Sequence, residues 1–280
     1  MFVPSTSTSA NRSPEPAGTH SRLIGALVAA GVTPNMVSYA GLVCALGSSA
    51  ALMLGAGHTL PWQTSASGEG TSWWPAIAGV LLALSALADI LDGRLARNGN
   101  LQTRFGAVLD STLDRFGDMA VFIGCALYYA GLGNMTYVLV SCVAIVGSIQ
   151  VSYVKARADN LVDGLEIGFW QRGERMVAMI IGGLTGRVPT VLWISAVFPL
   201  LTVWRRVRRA RALLMDGAGQ ESLIERLAEK FAPWRQPRRS LSYRLFCVLI
   251  AGLIVAGPWL DPFFYGTTDP LRAILEAAGR

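Results

Sequence analysis

Apolar residues along this chain run in long blocks, and the polar residues between them fall into short groups. The blocks extend over about 36–57, 73–90, 106–130, 135–154, 176–184 and 188–204. At a rise of ~1.5 Å per residue, about twenty residues match the ~30 Å hydrocarbon thickness of a bilayer. The pattern predicts six membrane-crossing helices. The fifth block is short unless its helix begins near Arg172, and the glycines and Pro189 between it and the sixth predict a turn.

Two flanking regions read differently. Residues 1–19 are rich in Ser, Thr, Pro and Ala and lack the basic start and apolar core of a cleavable leader, so a disordered cytosolic tail is expected there. Residues 20–32 have apolar residues at helical spacing and stop at Thr33-Pro34-Asn35, as expected of a short helix lying along the interface. Past Leu214 the chain is mixed and charged: residues 221–231, ESLIERLAEKF, predict an amphipathic helix, and residues 245–260 are apolar enough for a seventh crossing. The organisation expected is a tail at 1–19, a membrane domain at 20–206 and a C-terminal extension at 207–280.

Composition agrees: of 280 residues, 52% are hydrophobic and 15% charged, and the mean hydropathy is +0.43. Lipid is therefore the expected solvent for much of the chain. The net charge of +6 does not imply nucleic acid, because the basic residues recur at the ends of apolar blocks; anionic headgroups or anionic substrates suit them better. Lys and Arg collect at one set of helix ends: Arg94, Arg97 and Arg104, then Lys155, Arg157, Arg172 and Arg175, then Arg205 to Arg211. The positive-inside tendency places those ends, and with them the N-terminus, in the cytoplasm of a multi-pass cell-membrane protein. Cys44, Cys125, Cys142 and Cys247 lie in apolar stretches and read as small hydrophobes, while the isolated His20 and His58 make no histidine metal site.

Chemistry concentrates in residues 89–114, DILDGRLARNGNLQTRFGAVLDSTLD. Asp89 and Asp92 share one face of a helix; Asp110 and Asp114 share one face of the next. Four carboxylates at membrane helix ends need compensation, most simply from divalent cations, and an all-oxygen donor set suits Mg2+ or Mn2+. Two such cations would neutralise a diphosphate while a carboxylate accepts the proton of an attacking hydroxyl. Gly93, Ala96 and Gly106 leave room for a nucleotide or phosphate, and Arg97 offers a fork of donors. A charge network that only joins two helices is the structural alternative; a cation path through the membrane is another. Asp118, one turn beyond Asp114, is expected to orient Arg115 or to make a simple electrostatic contact.

The segment resembles the signature of CDP-alcohol phosphatidyltransferases, DxxDGxxARx8Gx3Dx3D, at Asp89, Asp92, Gly93, Ala96, Arg97, Gly106, Asp110 and Asp114. The resemblance covers roughly residues 20–206 and includes Thr33-Pro34-Asn35. It implies an all-α, six-helix membrane core, a site open to the cytosol, CDP-diacylglycerol as donor, two Mg2+ ions and a homodimer. It assigns Asp89, Asp92, Asp110 and Asp114 to the metals, Asp114 also as general base, and Asp92, Gly93, Ala96, Arg97 and Gly106 to CDP. Residues 103–115 and 152–159 look most like those of the phosphatidylinositol phosphate and archaetidylinositol phosphate synthases. That implies a phosphorylated polyol acceptor, myo-inositol 1-phosphate, held by Arg104, Lys155, Arg157, Arg172 and Arg175. The segment Gln171-Arg172-Gly173-Glu174-Arg175 departs from the ERxER pattern of those relatives at Gln171. Glycerol 3-phosphate or an amino alcohol is the alternative acceptor.

Overall fold

The computed structural model describes residues 19–63, 69–158, 161, 170–215, 241–260 and 266–278. The expected tail and the expected amphipathic helix at 221–231 lie outside the described residues, except that Thr19 opens the first helix. Among the described residues the fold is all-α, in the order α1 (Thr19–Ala29), α2 (Pro34–Gly55), α3 (Trp74–Asn98), α4 (Arg104–Gly131), α5 (Met135–Ala158), α6 (Arg172–Leu184), α7 (Val188–Met215), α8 (Leu241–Leu260) and α9 (Pro270–Ala278).

Helices α2, α3, α5 and α7 are long and apolar enough to cross a membrane. Their exposed large side chains, such as Val43, Val80, Val146 and Leu200, suit lipid. Helix α4 has 28 residues but carries Asp110, Asp114 and Asp118 within its first fifteen. Helix α6 begins at Arg172, the start its short apolar block required, and has 13 residues. At ~1.5 Å per residue it is about 20 Å long, less than a bilayer core, and it packs among α3, α7 and α8. Helix α3 continues eight residues past the predicted end at Ile90, which puts the first half of the acidic segment inside regular helix. Helix α7 runs through the expected domain boundary at 206 to Met215.

Two helix starts, those of α2 and α4, are capped by a neighbouring threonine. Thr33 has extended backbone and its hydroxyl accepts from the Met36 N–H, while Pro34 occupies the first turn, where no N–H is needed. Thr103 caps α4 in the same way. Between α3 and α4 the chain reverses over Gly99–Thr103, with Asn100 in the left-handed region at φ 51°. That tight reversal aligns the end of α3 with the start of α4.

The core combines small residues that let backbones meet with an aromatic cluster. A Cβ on Gly183 would fall 2.7 Å from the Pro75 carbonyl oxygen and 2.9 Å from the Gly79 Cα, so α3 and α6 touch backbone to backbone. This crossing carries the start of α6 to the end of α3. Away from that end, Tyr128, Tyr129, Tyr137 and Trp193 pack edge-to-face or stacked.

Helix α8 covers the apolar block that the sequence places at 245–260. It is 20 residues long, about 30 Å, and packs on α6 and α7. Tyr243 near its start meets Glu174 at the start of α6. The chain beyond its end returns at the opposite end of the bundle, where Gly266 lies against Tyr129 and Pro189. The Asn134 side chain donates to the carbonyls of Gly266 and Thr268 at 3.0 and 3.3 Å. Asp269 then accepts from the N–H groups of Met135, Thr136 and Arg272 and from the Thr136 hydroxyl. One carboxylate therefore caps both α5 and α9.

Candidate active site

The acidic segment forms one pocket of about 310 Å³ where α2, α3, α4 and α6 meet. Asp89 and Asp92 come from the last turns of α3, and Asp110 and Asp114 from the first turns of α4. One carboxylate oxygen each from Asp89, Asp92 and Asp110 lies within 4.8 Å of the others. Three convergent anionic oxygens form a hard donor set, which fits a divalent cation such as Mg2+ or Mn2+ and does not fit a soft metal. Asp92 is buried, and its Oδ2 accepts a 2.6 Å hydrogen bond from the Ser38 hydroxyl of α2.

Asp114 stands beside this triplet and pairs with an arginine. The Arg172 guanidinium places Nη2 2.6 Å from Asp114 Oδ1 and Nη1 3.1 Å from Asp89 Oδ1, with Nε 3.6 Å from Asp118 Oδ1. It therefore ties the end of α3 to α4 through charge. Arg175, only 2% exposed, donates to Asp118 at 2.7 Å and to the Trp170 carbonyl at 3.1 Å. Asp118 also accepts from Ser148 at 3.4 Å, so its contacts are with α5 and α6, whereas Arg115 bonds back to the Ser111 carbonyl.

The other residues singled out from the sequence ring this pocket or lie at the same helix ends. The Arg97 guanidinium lies over Gly93, where a Cβ would come 3.3 Å from Nη1. A Cβ on Gly106 would lie 2.9 Å from Thr103 Oγ1 and 3.4 Å from Asn35 Oδ1. The Thr33-Pro34-Asn35 start of α2 thus sits against the start of α4. Ala96 is half-buried on α3, Arg104 is exposed at the first residue of α4, and Lys155 and Arg157 lie in the last turn of α5. Of the five basic residues expected to hold an acceptor, Arg172 and Arg175 are brought directly onto carboxylates.

Sequence reasoning missed Ser38 and the carboxylate pairing of Arg172. A hydroxyl one turn after Asn35 in an otherwise apolar helix was the available signal for Ser38. Nothing local points to the Arg172 pairing, because the arginine lies 58 residues beyond Asp114 along the chain.

The model of the CDP-alcohol phosphatidyltransferase family matches residues 31–218. The chain is 36% identical over 198 residues to the phosphatidylinositol phosphate synthase of Mycolicibacterium smegmatis, spanning 66% of this chain and 81% of that protein. It is 36% identical over 142 residues to the archaetidylinositol phosphate synthase of Pyrococcus horikoshii, spanning 50% of this chain and 73% of that one. The fold is similar to the crystal structure of Mycobacterium tuberculosis phosphatidylinositol phosphate synthase with CDP-DAG bound, with TM-score 0.56 and 24% identity over 73% of this chain and 98% of that one. The same enzyme in complex with manganese and citrate matches with the same TM-score, 0.56, and 24% identity over 72% of this chain and 92% of that one.

Proposed function

Because the chain belongs to the CDP-alcohol phosphatidyltransferase family, we propose that it transfers a phosphatidyl group from CDP-diacylglycerol to myo-inositol 1-phosphate and releases CMP. The observation that carries this reading is the pocket itself, in which four carboxylates from two helix ends converge with Arg172 beside them. Similarity to two kinds of inositol phosphate-using synthase supports the acceptor.

In this reading Asp89, Asp92 and Asp110 hold divalent cations, two Mg2+ ions in the cell, with Asp114 completing the set. The bound cations supply charge neutralisation for the diphosphate and the transferring phosphoryl group. The chain's own residues do the rest. Ser38 holds Asp92 by its 2.6 Å hydrogen bond. Arg97 above Gly93, together with Asp92, Ala96 and Gly106, receives the CDP portion. The acceptor hydroxyl oxygen bonds to the phosphorus nearer the diacylglycerol, the bond from that phosphorus to the CMP oxygen breaks, and the hydroxyl proton passes to Asp114. Arg172 keeps the Asp114 carboxylate aimed into the pocket. Arg104, Lys155 and Arg157, with Arg172 and Arg175 behind them, offer positive charge to the acceptor phosphate.

The carboxylate end is also the basic end, which supports a cytoplasmic site, with the N-terminal segment on the same side. Residues 20–206 act as the catalytic membrane domain and 207–280 as an addition to it. The reading includes a homodimer, to be checked by measuring mass in lipid nanodiscs.

Purified protein supplied with CDP-diacylglycerol and Mg2+ should release CMP when given myo-inositol 1-phosphate, with a phosphorylated lipid as the second product. CMP release with glycerol 3-phosphate or serine and none with inositol phosphate would replace the acceptor and keep the chemistry. Cation flux without CMP release would overturn both.

A further inference from the structure

The family match ends at residue 218, yet the chain includes α8, which packs on α6 and α7 and meets the first turn of α6 from outside that match. The Tyr243 hydroxyl donates a short hydrogen bond to Glu174 Oε1. Tyr243 is 9% exposed and belongs to the buried core, so the bond forms away from water. Glu174 lies in the first turn of α6, between Arg172 and Arg175. Arg172 in that turn reaches Asp89 and Asp114, and Arg175 reaches Asp118. A tilt of this one turn would move both guanidinium groups together.

At its other end, α8 leads into the Asp269 cap, which ties the chain after it to the start of α5. Near the start of α8, Tyr243 is the contact through which the extension meets the first turn of α6. We propose that Tyr243 is a positioning residue for the acceptor side of the site: through Glu174 it sets the angle at which the first turn of α6 presents Arg172 and Arg175, and so how tightly the phosphate of the acceptor is held. The extension thereby contributes to acceptor affinity without touching CDP. This inference rests on the phosphorylated acceptor proposed above.

The test uses the full-length chain in nanodiscs and compares Tyr243→Phe, Glu174→Gln and the double variant. Tyr243→Phe should raise KM for inositol 1-phosphate about tenfold, the lower end of what loss of one hydrogen bond to a charged group gives. The KM for CDP-diacylglycerol should stay within about twofold, and kcat should fall by a smaller factor than the acceptor KM rises, because Arg172 also holds Asp114. The double variant should be no worse than the poorer single one, since Tyr243→Phe removes the bond that Glu174→Gln weakens by taking the charge from its acceptor. Amide hydrogen exchange should rise in residues 172–175 of Tyr243→Phe. An unchanged acceptor KM with unchanged exchange overturns the inference, as does a parallel rise in both KM values with a lower Tm, which would mark a packing role. If the unmutated chain turns over no phosphorylated acceptor, the acceptor reading fails by itself. Positioning is then read from calorimetric titration with inorganic phosphate: weaker binding and faster exchange in Tyr243→Phe sustain it, and no difference overturns it.

Discussion

The two ends of this helix bundle both depend on aspartates, and they use them in opposite ways. At one end Asp269 spends its acceptor capacity on donors from the protein: three backbone N–H groups and the Thr136 hydroxyl. Desolvation by its neighbours is outweighed by those hydrogen bonds, which hold its carboxyl below the ordinary range. At the other end Asp89, Asp92 and Asp110 turn oxygens toward one another, with Ser38 as the donor to Asp92 and Arg172 on the flank. A carboxylate surrounded by donors is a structural cap. Carboxylates facing carboxylates in a pocket are a receptor for positive charge.

The comparison breaks if the two ends respond alike to perturbation. Chelating divalent cations should abolish CMP release and leave the bundle folded, with activity returning on addition of Mg2+ or Mn2+; chelation that instead unfolds the protein would make the acidic end structural. Asp114→Asn should lower kcat by on the order of 10²–10⁴, the usual contribution of a general base, with circular dichroism unchanged. Full turnover in that variant would remove the base from the scheme.

Smaller effects sharpen the contrast. Ser38→Ala should lower kcat/KM about fivefold, as loss of about 1 kcal/mol of hydrogen bonding predicts, measured at saturating Mg2+. Asp269→Asn should cost about 1 kcal/mol of stability, because an amide nitrogen replaces one of the two accepting oxygens, while KM and kcat stay as they were. The cap also has a pH signature. A depressed folded-state pKa means its stabilisation is complete above the unfolded value of about 4 and fades as pH falls below it. The difference in Tm between the parent chain and Asp269→Asn should therefore shrink on acidification from pH 6 to pH 3.

Much of the fold could be read along the chain, because crossing a bilayer demands long apolar runs whatever the packing. The apolar helices, four of them (α2, α3, α5 and α7) long and apolar enough to cross, and the intrahelical pairs of carboxylates follow from that demand and from helical period. Element ends were read less well: α3 and α7 extend past their apolar blocks because charged residues at a membrane edge continue a helix without entering lipid. The short helix α9 after Asp269-Pro270 was also missed, although an Asp followed by Pro is an ordinary helix start.

The acidic segment was a local property: helix period pairs its four carboxylates, and the eight residues that resemble the family signature fall within 26 positions. Its completion was not. Ser38 reaches Asp92 across 54 residues, Tyr243 reaches Glu174 across 69, and Asp269 reaches Thr136 across 133. Such pairs depend on which helices lie side by side and at what height in the membrane. Backbone contact at Gly79 and Gly183 settles that for α3 and α6. Local spacing decides which side chains share a face, whereas only packing decides what that face meets.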